Sequence, residues 1–429
     1  MTLDDMILVS VDDHLIEPEN MFEHHLPKIY KDRAPRVVRS ATGAHFWEVE
    51  GRRAPGLGLN AVVGRPKSEY GWEPVAYDQV REGCYDIHAR VKDMNVNGML
   101  GSICFGSFPG FGGQRFQDLT DKDLGLAIIR AYNDWHIHDW CGAYPGRFIP
   151  LAHLPLWDPQ LAAAEARRTA ALGARTIAFP ENPAKINLPS VHSASWDPLW
   201  SVCADEGMVI STHIGSAGGP PYASDESPIP AWITSMPMQI SIAASDWLFA
   251  PMWRKFPSLR IALSEGGIGW IPYLLERADF TLEQHGAWTN TDLGGAKPSE
   301  VFHKHFITCF IDDNFGIKNR YDVGVDMITW ESDYPHSDSV WPYAPEHLWK
   351  SIKDLPEDEI GKITHLNAMR EFGYDPFAIL GRDNCTVAAL RAQATDVDTE
   401  PKSRGGLNPL PDSTRPVTAA DVQKILNMA

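Results

Sequence analysis

The sequence predicts an α/β fold of the (β/α)₈ barrel (TIM barrel) class, and three observations lead to this prediction. Short apolar runs alternate with stretches of helical periodicity along most of the 429 residues. We count eight such runs, the number of strands in a closed parallel barrel. Several runs end in His, Asp or Glu, and active sites of this fold lie at the carboxyl ends of the strands. A doubly wound open sheet fits less well, because no Gly-x-Gly-x-x-Gly turn follows an early strand.

The first strand begins at Met6 and runs into residues 10–18, a stretch that contains three carboxylates and one histidine. Helices are predicted over 76–97, 121–140, 158–171, 195–206, 238–254 and 269–285. The other seven strands are predicted at 99–105, 148–153, 175–179, 208–213, 259–265, 305–310 and 327–333.

The predicted barrel occupies residues 1–376 and has a long insertion after the first strand, at about 19–75, rich in Pro, Gly, Arg and aromatic residues. Residues 377–429 form a predicted C-terminal extension with one short helix at about 417–428. We expect this extension to pack on the barrel or on a neighbouring subunit. A homo-oligomer is therefore expected, or a hetero-oligomer with a related barrel subunit.

Composition restricts the classes of function. The formal net charge of −18 disfavours nucleic acid and anionic membranes as partners. No apolar run approaches the roughly 18 residues of a membrane span, and the first residues are acidic where a signal peptide is basic. Six scattered cysteines without a Cys-x-x-Cys pair are typical of the reducing cytoplasm, where we expect the protein. The Gly-rich loop at 106–113 lacks the lysine of a P-loop, so we expect no organic cofactor there.

The ends of the predicted strands carry the residues that indicate chemistry. Each one alone has an ordinary explanation, such as a helix cap or a histidine bonded to the backbone. A barrel brings all of them to one rim, however, and buried His and carboxylate groups suit a divalent transition metal. Period-2 alternation places Asp12 and His14 on one face of the first strand and Asp13 on the other. The candidates are Asp12, His14 and Glu17 from strand 1, His153 from strand 3, His213 from strand 5, Glu265 from strand 6, and Asp333 and His336 from strand 8.

Three strand-end motifs resemble the amidohydrolase superfamily: Asp12-x-His14, Thr212-His213 and the segment 332–336, Ser-Asp-Tyr-Pro-His. Within this superfamily, the chain resembles the amidohydrolase-related group, which includes aminocarboxymuconate semialdehyde decarboxylase. The resemblance spans roughly residues 7–376 and implies a metal held by Asp12, His14, His213 and Asp333. Further matches are the segments at 90–94, 133–135, 144–148 and 367–370.

Two departures from the family pattern bear on chemistry. Asp12 stands where the family commonly has a histidine, and a hard oxygen ligand shifts the preference from zinc toward manganese or iron. Glu265 stands where related decarboxylases carry a catalytic histidine, so the acid–base step has to differ. We expect Asp333, Glu265 and His336 to be the catalytic groups, with Glu265, Glu17 and His153 as additional candidate ligands.

Two mechanisms remain open from the sequence. One is a hydrolase or non-oxidative decarboxylase that uses a divalent Mn, Fe or Zn ion and acts on a small, carboxylated organic substrate. The other is a dinuclear iron or manganese–iron oxygenase that hydroxylates an unactivated carbon, suggested by the surplus of ligands at the rim and by Glu265. A non-catalytic barrel that supports a catalytic partner is a third reading.

Overall fold

Eight parallel strands form a nearly closed barrel in the computed structural model of the chain, which describes residues 1–41, 43–54, 56–71, 76–219, 221–394, 396–405 and 415–428. Around the barrel the strands follow the order β5-β1-β11-β10-β9-β8-β7-β6. The (β/α)₈ prediction is thereby confirmed. The strands are β1 (Val9–Leu15), β2 (Arg36–Arg39), β3 (His45–Val49), β4 (Arg52–Ala54), β5 (Gly101–Gly106), β6 (Leu151–Ala152), β7 (Thr176–Ala178), β8 (Val209–His213), β9 (Ile261–Ser264), β10 (Phe306–Phe310) and β11 (Ile328–Trp330).

The barrel closes between β5 and the segment that precedes β6. The N–H of Ser102 donates to the carbonyl of Arg147 at 3.1 Å, and the N–H of Ile149 donates to the carbonyl of Ser102 at 3.0 Å. These bonds satisfy strand edges that would otherwise be unpaired.

Helices pack outside the strands, and most lie close to their predicted positions. The helix predicted over 76–97 is wrong in its first half: it begins at Ile87, where the Asp86 side chain accepts a hydrogen bond from the N–H of Ala89 at 2.8 Å and caps the first turn. Residues 77–84 instead form short 3₁₀ turns. The helices of eight or more residues are Ile87–Val96, Lys122–Trp135, Pro159–Ala171, Asp197–Glu206, Pro237–Trp247, Ile271–Thr289, Pro298–His305, Ala344–Ile352 and Ala419–Met428.

An extra residue in β1 reverses the direction of its side chains. Ser10 pairs with Ser102 and Asp13 pairs with Cys104, so three residues of β1 span the length of two in β5. Val9 and Val11 contribute to the apolar cluster inside the barrel, to which seven of the eight barrel strands contribute. Because the bulge follows Val11, the next side chains to face the interior are those of Asp12 and His14.

Residues of the predicted insertion and of the later part of the extension lie near the carboxyl end of β9, whereas the Val387 N–H of the extension donates to the Met6 carbonyl, before β1, at 2.8 Å. Strands β2, β3 and β4 form a separate antiparallel sheet within the insertion. The C-terminal segment is joined to the insertion by a hydrogen bond from the N–H of Lys402 to the carbonyl of Gly64 at 2.9 Å. The division into domains at residue 376 stays a prediction, and residues 406–414 of the extension lie outside the described part. None of the described helices is long and apolar enough to cross a membrane.

Candidate metal centre

The end of β1 places a carboxylate and an imidazole at the centre of the rim. Asp12 Oδ1 lies 3.6 Å from His14 Nε2, and both side chains are buried. Neither oxygen of Asp12 has a hydrogen-bond donor, and the Nδ1 of His14 is also without a partner. Buried polar atoms are nearly always satisfied in folded proteins, so such a group indicates a ligand that belongs there.

His213, the last residue of β8, completes a group of three. Its Nδ1 donates to the carbonyl of Ile214 at 2.6 Å, which leaves the lone pair of Nε2 free. That Nε2 lies 3.3 Å from Asp12 Oδ2 and 3.3 Å from His14 Nε2. Potential ligand atoms from three residues thus lie within 3.6 Å of one another. Asp12, His14 and His213 therefore have the chemistry and the convergence of a metal site.

Asp333 approaches the same point from the segment after β11. Its Oδ1 lies 3.2 Å from His14 Nε2 and 2.9 Å from His336 Nδ1, so His14, Asp333 and His336 form a second converging group. Asp333 has a φ of 53°, in the left-handed region that costs a non-glycine residue about 1–2 kcal/mol. Its N–H donates to the carbonyl of Asp12 at 3.0 Å, which joins the two carboxylate-bearing strand ends. Strain of this kind is typical of functional sites.

Burial and mutual repulsion make the carboxylates of this cluster costly in their charged form. The pKa of Asp12 is raised well above its ordinary value, by burial first and then by Glu331, Asp333 and Glu265. Burial and neighbouring carboxylates raise the pKa values of Glu265 and Asp333 in the same way. Burial lowers the pKa of His14 well below its ordinary value and that of His213 to about 3, so both rings are neutral, as metal ligands must be. A divalent cation would compensate the clustered negative charge, so these residues fit such an ion.

Glu265 connects the buried cluster to solvent. Its Oε2 lies 3.3 Å from His213 Nε2, and its side chain is 19% exposed, whereas the side chains of Asp12, His14 and Asp333 are 0–1% exposed. Like Asp333, it has a left-handed backbone, with φ at 57°. It also lines a cavity of about 1300 Å³. Of the candidate site residues, Glu265 is the one in the described lining of this cavity.

Glu331 is a residue that the sequence reasoning missed. It follows β11 directly, is 1% exposed, and accepts hydrogen bonds from the Glu265 N–H at 3.1 Å and from Cys309 Sγ at 2.6 Å. Burial raises its pKa to about 7. Its position two residues before Asp333, within the strand predicted at 327–333, is a signal that would have found it. Phe111 was also missed; its ring packs on His14 and His213 with centroids 4.6 and 4.3 Å apart.

Glu17 and His153 belong to neither group of converging ligand atoms among the described residues. Glu17 is buried, and its two oxygens accept hydrogen bonds from the Phe108 N–H at 2.9 Å and from the Tyr132 hydroxyl at 3.0 Å. His153 packs edge-on against Tyr132, with ring centroids 5.0 Å apart, and neither of its ring nitrogens has a partner. The structure thus does not bring these two side chains to the cluster, and a ligand role for them stays a prediction.

Comparison with known proteins identifies the family of this chain. The chain matches the amidohydrolase family over residues 42–374. It belongs to this family. Among curated proteins, the chain resembles 2-amino-3-carboxymuconate-6-semialdehyde decarboxylase of Dictyostelium discoideum. The two are 24% identical over 310 residues, which cover 70% of this chain and 80% of that protein.

Solved structures show the same fold. An amidohydrolase from Mycobacterium avium subsp. paratuberculosis K-10 matches with a TM-score of 0.67 and 20% identity, over 86% of this chain and 99% of that one. A 5-carboxyvanillate decarboxylase from Novosphingobium aromaticivorans matches with a TM-score of 0.56 and 16% identity, over 87% of this chain and 99% of that one. The latter was crystallised with bound manganese and 3-methoxy-4-hydroxy-5-nitrobenzoic acid. At these identities the solved structures establish the shared fold. The comparisons give no support to the oxygenase reading.

Proposed function

We propose that this amidohydrolase is a metal-dependent, non-oxidative decarboxylase of a carboxylated organic acid. The observation that carries the proposal is the buried convergence of Asp12, His14, His213 and Asp333, with unpartnered carboxylate oxygens, beside a cavity that Glu265 lines. The decarboxylase relatives motivate the choice of reaction over hydrolysis.

One divalent ion suits this arrangement better than two. His14 is shared by both groups of ligand atoms, and its Nε2 lies within 3.6 Å of an oxygen of Asp12 and of an oxygen of Asp333. When bound, the ion would supply a Lewis acid and an attachment point for the substrate carboxylate. Two carboxylates and two imidazoles favour manganese or iron over zinc.

The acid–base step is assigned to Glu265. In the reaction the bond between carbon and the carboxylate breaks, CO₂ leaves, and the electron pair that remains on carbon takes up a proton. Glu265 lines the cavity, and burial raises the pKa of its carboxyl group, which favours a role as the group that holds and donates this proton. His336 lies beside both side chains: its Nδ1 is 2.9 Å from Asp333 Oδ1, and its ring is stacked on that of His14 with centroids 3.9 Å apart.

The setting of the enzyme is also part of the proposal. Each of the six cysteines is free and buried, in keeping with the reducing cytoplasm as its location. The predictions of a small-molecule substrate and of a homo-oligomer, or of a hetero-oligomer with a related barrel subunit, stay predictions.

The test begins with protein purified without added zinc, whose Mn, Fe and Zn content is measured per chain. Metal-loaded enzyme is then given a panel of carboxylated aromatic acids, and release of CO₂ is followed together with O₂ uptake and hydrolysis of amides and lactones. We expect CO₂ release from at least one acid, none from Asp333→Asn, and no O₂ uptake. Hydrolysis without CO₂ release, or turnover that consumes O₂, would overturn the proposal.

A further inference from the structure

The cavity beside Glu265 is much larger than a single-ring acid needs. Its volume is about 1300 Å³, whereas a cavity of roughly 150 Å³ holds benzene and ligand sites of about 300–1,000 Å³ hold drug-sized molecules. A substrate whose carboxylate reaches the metal cluster would leave most of this volume empty if it carried only one ring.

The outer part of the cavity has a largely apolar wall with few cationic groups. Ile229, Ile233 and Met236 come from the segment after β8, and Trp341 from the segment after β11. Val417 and Val422 come from the C-terminal extension. An apolar wall favours burial of an apolar part of the substrate.

The charged side chains of the lining argue against a second carboxylate at the outer end. Glu69, Asp338 and Glu400 are acidic. Of the strongly basic side chains in the described lining, Arg65 donates to the carbonyl of Gln79 at 2.7 Å, and Lys67 is exposed to solvent. Counted over the whole described lining, the four acidic side chains, Glu265 included, outnumber the two strongly basic ones, so a neutral group is favoured over an added anion.

The extension is held in place as part of this wall. Its Val417 carbonyl accepts a hydrogen bond from the Ile229 N–H at 2.9 Å, and its Ala419 N–H donates to the carbonyl of Ser227 at 2.9 Å. Ala419 and Val422 pack on Trp232 in a small apolar cluster. Together with the bond from the Lys402 N–H to the Gly64 carbonyl, these contacts connect the extension to the segment after β8 and to the insertion, which also line the cavity.

We propose that the outer cavity, walled by the 229–236 segment and the C-terminal extension, selects acids that carry a large apolar group distant from the carboxylate, at least two rings in length. The inference rests on the proposed function, since the metal cluster fixes the carboxylate end. Its specificity-determining side chains are Ile233 and Val417.

The test compares two acids that differ only in length: salicylic acid and 4-phenylsalicylic acid. Binding to the manganese-loaded protein is measured by calorimetry and CO₂ release is measured separately. We expect the wild type to bind the longer acid at least tenfold more tightly. Ile233→Trp and Val417→Trp should each abolish this preference and leave binding of salicylic acid unchanged. Ile242→Trp is the matched control, because Ile242 is 59% exposed and lies outside the described lining.

Binding and turnover separate the two proposals. Equal binding of both acids by the wild type, or a preference that both filled variants retain, would overturn the selection of long acids. A preference for the longer acid that Ile233→Trp removes supports the selection of long acids, even if neither acid releases CO₂. Absence of CO₂ release would count against the proposed decarboxylase activity alone.

Discussion

The carboxylate of Glu331 accepts a hydrogen bond from the backbone N–H of Glu265 at 3.1 Å, so one buried acid positions the residue that carries another. Glu265 needs this support because its φ of 57° is unfavourable for a residue with a side chain. Glu331 in turn accepts a hydrogen bond from the Cys309 thiol at 2.6 Å. The side chain that faces the substrate cavity is therefore fixed from the interior of the barrel.

We expect Glu331→Ala to lower kcat by about 10–100-fold, the usual cost of removing a supporting partner in a metal site. Glu331→Gln keeps an acceptor for the Glu265 N–H and should recover most of the loss. Steady-state kinetics on a turned-over acid measure both effects. In combination with Glu265→Gln, the Glu331→Ala loss should be much less than additive; full additivity would show that Glu331 does not act through Glu265.

Glu265→Gln should lower kcat by about 10²–10⁴-fold, because the amide holds no transferable proton. Metal content measured on the same preparation should remain near that of the wild type, since Asp12, His14, His213 and Asp333 are intact. If both metal content and activity are unchanged, Glu265 is neither an acid–base group nor a ligand. Loss of the metal would instead identify it as a ligand.

Asp12 and Asp13 form a natural matched pair for testing the metal centre. Asp12→Asn should weaken metal binding by more than the roughly 10–100-fold that an outer partner contributes. Asp13 accepts hydrogen bonds from the Ser10 hydroxyl at 3.1 Å and the Tyr334 N–H at 3.1 Å. Asp13→Asn should keep the metal and lower the free energy of unfolding by about 1–3 kcal/mol.

Elemental analysis and thermal melting with and without a chelator distinguish these outcomes. Chelation should lower the Tm of the wild type and of Asp13→Asn, because it leaves buried carboxylates without a compensating cation. It should not change the Tm of Asp12→Asn. Equal metal content in both variants would exclude Asp12 as a ligand.

The buried carboxyl group of Glu17 should make the free energy of unfolding depend on pH, independently of metal binding. Burial raises its pKa from the ordinary 4.5 to about 7 in the folded protein. Between these pH values the unfolded chain releases the proton and the folded chain keeps it, so the free energy of unfolding falls as pH rises. The loss attributable to Glu17 is roughly 3 kcal/mol at pH 7 and above.

Glu17→Gln should remove this component, so its stability should fall less steeply than that of the wild type between about pH 4.5 and 7. Denaturant unfolding at several pH values, with the metal saturating, measures the difference. The exposed Glu23→Gln serves as the control and should follow the wild type. Parallel profiles for Glu17→Gln and wild type would contradict the assignment.

The sequence by itself determined the fold class and proposed most members of the candidate site. The eight barrel strands were found because each is a short apolar run between helical stretches, a signal that is local in the chain. Asp12, His14, His213, Asp333 and His336 were predicted as site residues because they occupy or follow strand ends, which a barrel brings to one rim. Their positions along the chain were enough for this prediction, and no distance between side chains had to be known.

Only the tertiary structure decided which candidates meet. Glu17 and His153 lie at strand ends as well. Glu17, however, accepts hydrogen bonds from Phe108 and Tyr132, and the ring of His153 packs on that of Tyr132. The bulge between Ser10 and Asp13 depends on pairing with β5, which is distant in sequence, and it directs Asp12 and His14 inward. The contacts of Glu331 with Glu265 and of the extension with the cavity also join residues far apart in the chain. Sequence periodicity describes neighbours along one element, whereas these contacts arise from the packing of several.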